Sequence, residues 1–153
     1  MEHQQLTLPG LPEIDEEATA ERVKEYLDRA RDFIRMGFHP GIVAATTYGY
    51  SDVPPTQTNA FHSSTENTAV KNVDIEAQRK NHVQRVLNAI KHLSKRERKI
   101  ITTRWFGDDD LTDLDAYTEL EMSHGTYYKY RAKAYYRLAF ALKIEVYKNV
   151  ETN

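Results

Sequence analysis

The sequence predicts an all-α protein: an N-terminal helix and a flexible linker, followed by a helix-turn-helix domain with a long C-terminal helix. Apolar residues recur with the period of a helix in two separate regions. Residues that can cap helices stand before the later periodic segments. No segment shows the alternation expected of a strand. The predicted divisions are residues 1–36 for the N-terminal amphipathic segment, 37–69 for the linker and 70–153 for the helix-turn-helix domain.

The N-terminal helix is predicted over residues 16–36. Acidic residues crowd its start, where they complement the positive end of the helix dipole. Gly37 and Pro40 indicate its end. One face of this helix is apolar and therefore needs a partner; its residues are Val23, Tyr26, Leu27, Ala30, Phe33 and Ile34.

Residues 37–69 have the composition of a linker or a loosely packed loop. They are rich in Gly, Pro, Ser, Thr and Asn, and the stretch "DVPPTQTN" lies at their centre. The stretch "GIVAATTYGY" within them is compatible with both a short helical turn and an extended piece.

The helical period returns at about Val73, and an apolar stripe follows at Val83, Val86, Leu87, Ile90 and Leu93. Ser94 and Glu97 then have the S-x-x-E spacing of a capping box, which predicts the start of a new helix. We expect its Trp105 to lie in the core, and Gly107 to end it.

The last two helices form a helix-turn-helix pattern, because a tight turn with a small capping residue separates a short helix from a long one. Thr112 and Asp115 repeat the capping-box spacing, and the short helix that they open should direct Leu114, Tyr117 and Leu120 inward. Ser123 can cap the long helix. This helix is expected to run from His124 to about Tyr147, roughly 36 Å.

The stretch 122–142 combines five tyrosines with four Lys or Arg residues and His124. At 100° per residue its side chains separate into two sets. The inward set is Tyr127, Tyr130, Ala134, Leu138 and Ala141, and the outward set is Gly125, Tyr128, Lys129, Ala132, Lys133 and Tyr136. Arg131 lies beside the inward set, so we expect it to pair with an acid of the preceding helix such as Asp115 or Glu119.

The outward set suits a DNA-recognition helix, whose first turns reach base edges in the major groove. Lys129 can donate to guanine O6 or N7, and Tyr128 offers a hydroxyl to a phosphate and a ring to a thymine methyl. Gly125 allows a close approach of the backbone. The predicted partner is double-stranded DNA, and the candidate DNA-binding residues are His124, Gly125, Thr126, Tyr128, Lys129, Ala132, Lys133, Tyr136 and Arg137.

Charge is divided unevenly along the chain. Residues 1–70 hold 11 acidic and 5 basic residues, whereas residues 71–153 hold 12 acidic and 16 basic ones. This asymmetry hints at a polyanionic partner for the second half. Charge alone does not identify nucleic acid, because residues 108–121 within that half carry seven acids and no base.

Other classes of protein find little support in the sequence. No nucleophile–base pair, paired-carboxylate site or phosphate loop is readable, so we expect no enzyme and no cofactor. The histidines lack metal-ligand spacing, and "DDDLTD" lacks the Gly and the distal Glu of a calcium loop. No apolar run approaches the ~20 residues of a membrane span, and we do not expect the acidic, proline-containing N-terminus to be a signal peptide. A cytoplasmic protein without a membrane partner is expected.

A family resemblance is carried by the stretches "LSKRERKIITTRW" and "YTELEMSHGTYYKYRAKAYYRLAFAL". They resemble region 4 of bacterial sigma factors and, more closely, the ArpU family of phage-encoded transcriptional regulators, over roughly residues 73–148. The resemblance implies a sigma region 4-like helix-turn-helix and a DNA-reading part over residues 123–133. It also implies a regulator that activates late packaging and lysis genes of phages and prophages, in the cytoplasm of the bacterial host. Nothing in the chain resembles sigma region 2.

Two other functions remain open at this stage. One is a small terminase subunit-like protein that binds packaging-site DNA. The other is a sigma-mimicking protein that binds host RNA polymerase, which is also a candidate partner of a regulator. A homodimer is a further candidate, because the N-terminal helix could cover the C-terminal half of the last helix within one chain or across a two-fold axis. There Phe140 and Tyr147 would extend the outer face, and Leu138 and Leu142 the inner one.

Overall fold

The computed structural model describes residues 12–38 and 64–149, with side chains from residue 71 onward in the second range. These residues form five α-helices: α1 (Glu16–Arg35), α2 (Ser64–Lys91), α3 (Lys95–Phe106), α4 (Asp113–Glu119) and α5 (His124–Leu142). The β-pairing among them is a single antiparallel bridge between Ile14 and Tyr147. The prediction of an all-α protein is confirmed. None of these helices combines the length and apolar composition that crossing a membrane requires.

Helix α1 follows its sequence pattern closely. Asp15 is its N-cap, and the carboxylate accepts a hydrogen bond from the backbone N–H of Ala18 at 3.0 Å. Val23, Leu27 and Ala30 are fully buried. The apolar stripe therefore does face the core, as predicted.

Helix α2 begins at Ser64, so residues 64–69 of the predicted linker are helical. The stretches "DVPPTQTN" and "GIVAATTYGY" lie outside the described residues. The side chains of residues 71–78 are all exposed, whereas Val83 and Val86 are fully buried. Once the packed second half is helical, each added residue gains a backbone hydrogen bond without a new nucleation cost. Linker-like composition alone therefore did not locate the start of α2.

The two predicted capping boxes are present. The Ser94 N–H donates to Glu97 Oε2 at 3.0 Å, and the Glu97 N–H donates back to Ser94 Oγ at 3.4 Å. Thr112 and Asp115 exchange the equivalent bonds at 2.8 and 3.2 Å. Leu114, however, is 59% exposed, and the prediction that it points inward is wrong. Helix α4 has only about two turns, and its inward positions are taken by Ala116, Tyr117 and Leu120.

Helix α5 ends at Leu142, five residues before the predicted end. Lys143 adopts a left-handed conformation with φ of 58°, and the Ile144 N–H donates back to the Ala139 carbonyl at 2.9 Å. The helix is therefore about 28 Å long rather than 36 Å. The chain after it returns to α1, where the Asp15 N–H donates to the Val146 carbonyl at 2.8 Å.

The main core joins α1, α2, α3 and α5, so α1 covers the C-terminal half of α5 within one chain. Trp105 is buried here as predicted, and its indole N–H donates to Asp28 of α1 at 3.1 Å. Ala141 is exposed, so its predicted inward position is wrong; the buried face is centred closer to Tyr135 because α1 packs from that side. The α5 residues of this core are Ala134, Tyr135, Leu138, Ala139 and Leu142.

The outer side of the C-terminal half of α5 is exposed in the part of the chain that the structure describes. Phe140 and Tyr147 are each 41% exposed, and the Phe140 ring lies 4.9 Å from the ring of Tyr136. The expected cover by the N-terminal helix is therefore present on the inner side of this half.

Candidate nucleic-acid interface

A second small core fixes α4 against α5. Ile100 of α3, Ala116 of α4 and Tyr127 of α5 are fully buried at its centre. Partly buried side chains surround them, from Tyr117, Leu120, Met122, Tyr128 and Tyr130. The turn between the two helices depends on a left-handed residue, Glu121, with φ of 53°. This arrangement sets the angle at which α5 is presented.

The carboxylate of Asp113 joins three helices. Its Oδ1 accepts the Tyr127 hydroxyl and its Oδ2 accepts Arg131 Nη1, both at 2.7 Å, while Arg104 Nε of α3 lies 3.6 Å away. Burial, followed by the bond to Asp113, raises the pKa of Tyr127. Arg131 is therefore structural, as predicted, but its partner is Asp113 rather than Asp115 or Glu119. Asp113 therefore holds the first turn of α4 against α5 through these two bonds.

Ser123 is the N-cap of α5, as the sequence predicts. Its Oγ accepts the N–H of Thr126 at 3.3 Å, and the two side-chain oxygens lie 2.9 Å apart. The candidate DNA-binding residue Thr126 is half-buried and belongs to this cap. Its hydroxyl is thus already engaged within the protein.

An exposed ridge runs along α5 and is formed by Gly125, Lys129, Ala132 and Tyr136. From the first to the last of these residues it extends about 16 Å, at 1.5 Å per residue. A Cβ at Gly125 would meet no atom of the described residues within 4 Å, so the backbone is open to close approach there. The structure brings these four candidate residues onto one surface.

One flank of the ridge is an aromatic stack. The ring of Tyr128 lies 4.4 Å from the ring of His124, which is exposed. The Arg131 guanidinium lies 4.4 Å from the centroid of the same Tyr128 ring. The Tyr117 ring of α4 is 6.5 Å away. Tyr128 is half-buried by these neighbours rather than fully outward. Its ring is consequently held in one position beside the ridge.

The other flank is cationic and includes a helix that the sequence did not assign to the site. Arg96 of α3 and Lys133 of α5 both lie over the ring of Tyr130, at 4.7 and 5.2 Å from its centroid. The Arg137 guanidinium donates to Glu97 Oε2 of α3 at 2.7 Å. Arg96 is not among the DNA-binding residues that the sequence predicts. A signal for Arg96 exists only in the tertiary packing of α3 beside Tyr130.

The candidate residue Arg137 thus has a second function. Glu97 is buried, and one of its oxygens serves both the Ser94 cap and the Arg137 pair. The Arg137 side chain is still 52% exposed. It anchors α5 to α3 while its remaining surface borders the cationic flank.

The histidines and acids outside the interface have structural neighbours. His82 lies between α1 and α2, where its Nε2 is 3.0 Å from the Tyr26 carbonyl, and burial lowers its pKa. Asp110 of the acidic loop accepts Arg35 of α1 at 2.6 Å. His39 and His62 lie outside the described residues. Among the residues described, no group of His or acidic side chains is placed to hold a metal ion.

Comparison with known proteins places the chain in a phage context. It is 32% identical over 146 residues to an uncharacterized phage-related protein of Listeria innocua. The match covers 94% of this chain and 99% of the relative, so it includes the N-terminal helix as well as the helix-turn-helix pattern. No protein-family model matches the chain, and no solved structure matches it. The chain belongs to the same family as this phage-related protein of Listeria innocua.

Proposed function

We propose that the protein binds duplex DNA sequence-specifically and regulates transcription, as an activator of phage late packaging and lysis genes. The observation that carries this proposal is the surface of α5. The helix buries one face against α1, α3 and α4, while Gly125, Lys129, Ala132 and Tyr136 form an open ridge. Helix α5 contains no acidic residue at all, so nothing on it repels a phosphate backbone.

The dimensions of the ridge match a major groove. The groove is about 12 Å wide and admits one α-helix. A ridge of about 16 Å covers roughly five base pairs at 3.4 Å each. Lys129 stands in the middle of it and can reach a base edge, whereas Lys133 and Arg96 stand on the flank, where phosphates run beside a docked helix.

The regulatory part of the proposal rests on the resemblance of α3, α4 and α5 to sigma region 4 and to the ArpU family. The phage-related relative is consistent with that setting. A sigma region 4-like module suits a protein that positions another protein on a promoter. Host RNA polymerase is therefore proposed as a second partner, contacted on DNA.

Protection mapping tests this proposal. The full chain is incubated at low salt with DNA from upstream of the late genes in its own genome, and cleavage protection is mapped. Protection of a defined segment, with transcription from the adjacent promoter raised, is the expected result. A ring-forming oligomer that protects only packaging-site DNA would contradict transcriptional activation and support the terminase-like function. Polymerase binding without DNA binding would support sigma mimicry.

A further inference from the structure

The recognition surface of α5 has few groups that can hydrogen-bond to bases. In its whole length, His124–Leu142, the helix contains no Asn, Gln, Asp or Glu. Asn and Gln are the side chains that pair bidentately with adenine, and Asp and Glu accept from the amino group of cytosine. Helix α5 therefore cannot form these hydrogen-bonded pairings with adenine or cytosine.

The two arginines of α5 are also committed within the protein. Arg131 donates to Asp113 at 2.7 Å, and its guanidinium lies between the rings of Tyr128 and Tyr135. Arg137 donates to the buried carboxylate of Glu97 at 2.7 Å. Moving either guanidinium to a guanine would leave a buried or half-buried carboxylate without its partner, which is costly. The common bidentate pairing of arginine with guanine is thus disfavoured.

Lys133 lies on the flank and the Thr126 hydroxyl is engaged by Ser123, so the groups of α5 that remain for base contacts include one cation and two apolar surfaces. Lys129 is exposed on the ridge, and the Ala132 methyl group lies three residues further along the same ridge. The Tyr128 ring precedes Lys129 and is fixed by His124 and Arg131. Alanine methyls and aromatic rings are the side chains that contact the C5-methyl group of thymine, while lysine donates to guanine O6 and N7.

We propose that the protein recognises its DNA site chiefly by thymine methyl groups, contacted by Tyr128 and Ala132, next to a guanine contacted by Lys129. This inference rests on the proposed function, since it describes the class of duplex that α5 would bind. Adenine and cytosine in the site are then specified through their partners thymine and guanine rather than read themselves.

Modified bases test the inference without altering the protein. Binding sites are first selected from a random duplex library with the full chain at low salt. In one selected site, each thymine is then replaced singly by deoxyuridine, each guanine by 7-deazaguanine and each adenine by 7-deazaadenine. Loss of a contacted methyl should weaken binding about fourfold, the factor equivalent to ~0.8 kcal/mol for one buried CH₂ group. Binding should also weaken at one guanine and at no adenine.

Matched variants assign the methyl contacts. Tyr128→Ala should lose the sensitivity to deoxyuridine at one thymine, whereas Tyr128→Phe should keep it because the ring remains. Ala132→Gly should lose the sensitivity to deoxyuridine at a different thymine. Tyr128 also packs against Tyr117, so melting curves are needed to establish that each variant is folded. The modified duplexes with the parent protein decide the question even if a variant does not fold.

The outcomes separate this inference from the proposed function. Sequence-specific duplex binding that no deoxyuridine substitution weakens would overturn methyl recognition and leave DNA binding intact. Sensitivity to 7-deazaadenine would overturn it as well, because it would reveal direct reading of adenine. Failure to bind any duplex at low salt would overturn the proposed function itself, and this inference with it.

Discussion

Replacing Asp113 by alanine should loosen α4 from α5 and thereby disturb the proposed recognition surface. The carboxylate accepts two hydrogen bonds of 2.7 Å, one from Tyr127 and one from Arg131. The side chains of Asp113 and Arg131 are only 26% and 17% exposed. Removing the carboxylate leaves the buried Tyr127 hydroxyl and the Arg131 guanidinium without their acceptor.

The expected loss of stability follows from these bonds. Hydrogen bonds that involve a charged group contribute ~1.5–3 kcal/mol each. Solvent reaches part of this site, which weakens the ion pair, so we expect the free energy of unfolding to fall by about 2–4 kcal/mol rather than by the full sum. Asp113→Asn keeps an acceptor of the same shape but loses the charge. Its free energy of unfolding should therefore fall by about half as much as that of Asp113→Ala.

Urea denaturation of the full chain measures the effect, with Asp109→Ala as the matched control. Asp109 is an exposed acid in the loop before α4, and surface substitutions of this kind change stability by about 0.5 kcal/mol or less. A double-mutant cycle with Tyr127→Phe should give a coupling of about 1 kcal/mol or more. If Asp113→Ala loses no more stability than the control, Asp113 does not fix α4 against α5 and the reasoning is wrong.

Three further variants probe the interface and the core. Glu121→Gly should raise the free energy of unfolding by about 0.5–1 kcal/mol, because glycine relieves the left-handed strain at the turn; an equal or lower value in denaturation would contradict this. Gly125→Ala should stabilise the free protein, by at most about 1 kcal/mol, yet weaken DNA binding, since the added methyl meets only open space without DNA; unchanged affinity would argue against close approach there. Burial lowers the pKa of His82 in the folded protein, so folding favours the neutral imidazole. The contribution of His82 to stability is complete above the pKa of the unfolded chain, about 6.5, and is lost as the pH falls from there toward the lower pKa of the folded protein. Between pH 7 and pH 5 the free energy of unfolding should therefore fall more steeply for the parent than for His82→Gln. Parallel curves would show that His82 does not cause the pH dependence.

The helix starts could be predicted from sequence because capping is local chemistry. Ser94, Thr112 and Ser123 each accept a hydrogen bond from an N–H three residues later, and that spacing is visible in the chain. The end of α5 could not be predicted in the same way. Lys143 and Glu121 adopt left-handed conformations that the sequence signals only when glycine is present. At Lys143, the following segment is held by its pairing with the chain before α1, a contact distant in sequence.

The candidate site could be predicted only in outline. Helical periodicity correctly placed Gly125, Lys129, Ala132 and Tyr136 on an open face. Periodicity could not show which Lys and Arg side chains of α5 are available to DNA, because the carboxylates that pair with its arginines come from α3 and α4. For the same reason Arg96 was not assigned to the site, since its place beside Tyr130 arises from the packing of α3 on α5.

If α5 presents Lys129 and Lys133 to duplex DNA, each lysine should contribute to binding in its own way, and titration of a protected duplex at a series of salt concentrations measures both contributions. The parent protein is compared with Lys129→Ala, Lys133→Ala and the control Lys24→Ala, whose lysine lies on α1 and pairs with Glu21. Lys133→Ala should weaken binding to all sequences alike and lower the salt slope by about one. Lys129→Ala should cost ~1–3 kcal/mol on the specific site and relax the preference at one base pair, while the control should bind as the parent does. Equal affinity and equal salt slope for all four proteins, or no duplex binding at low salt, would show that α5 does not present these lysines to DNA.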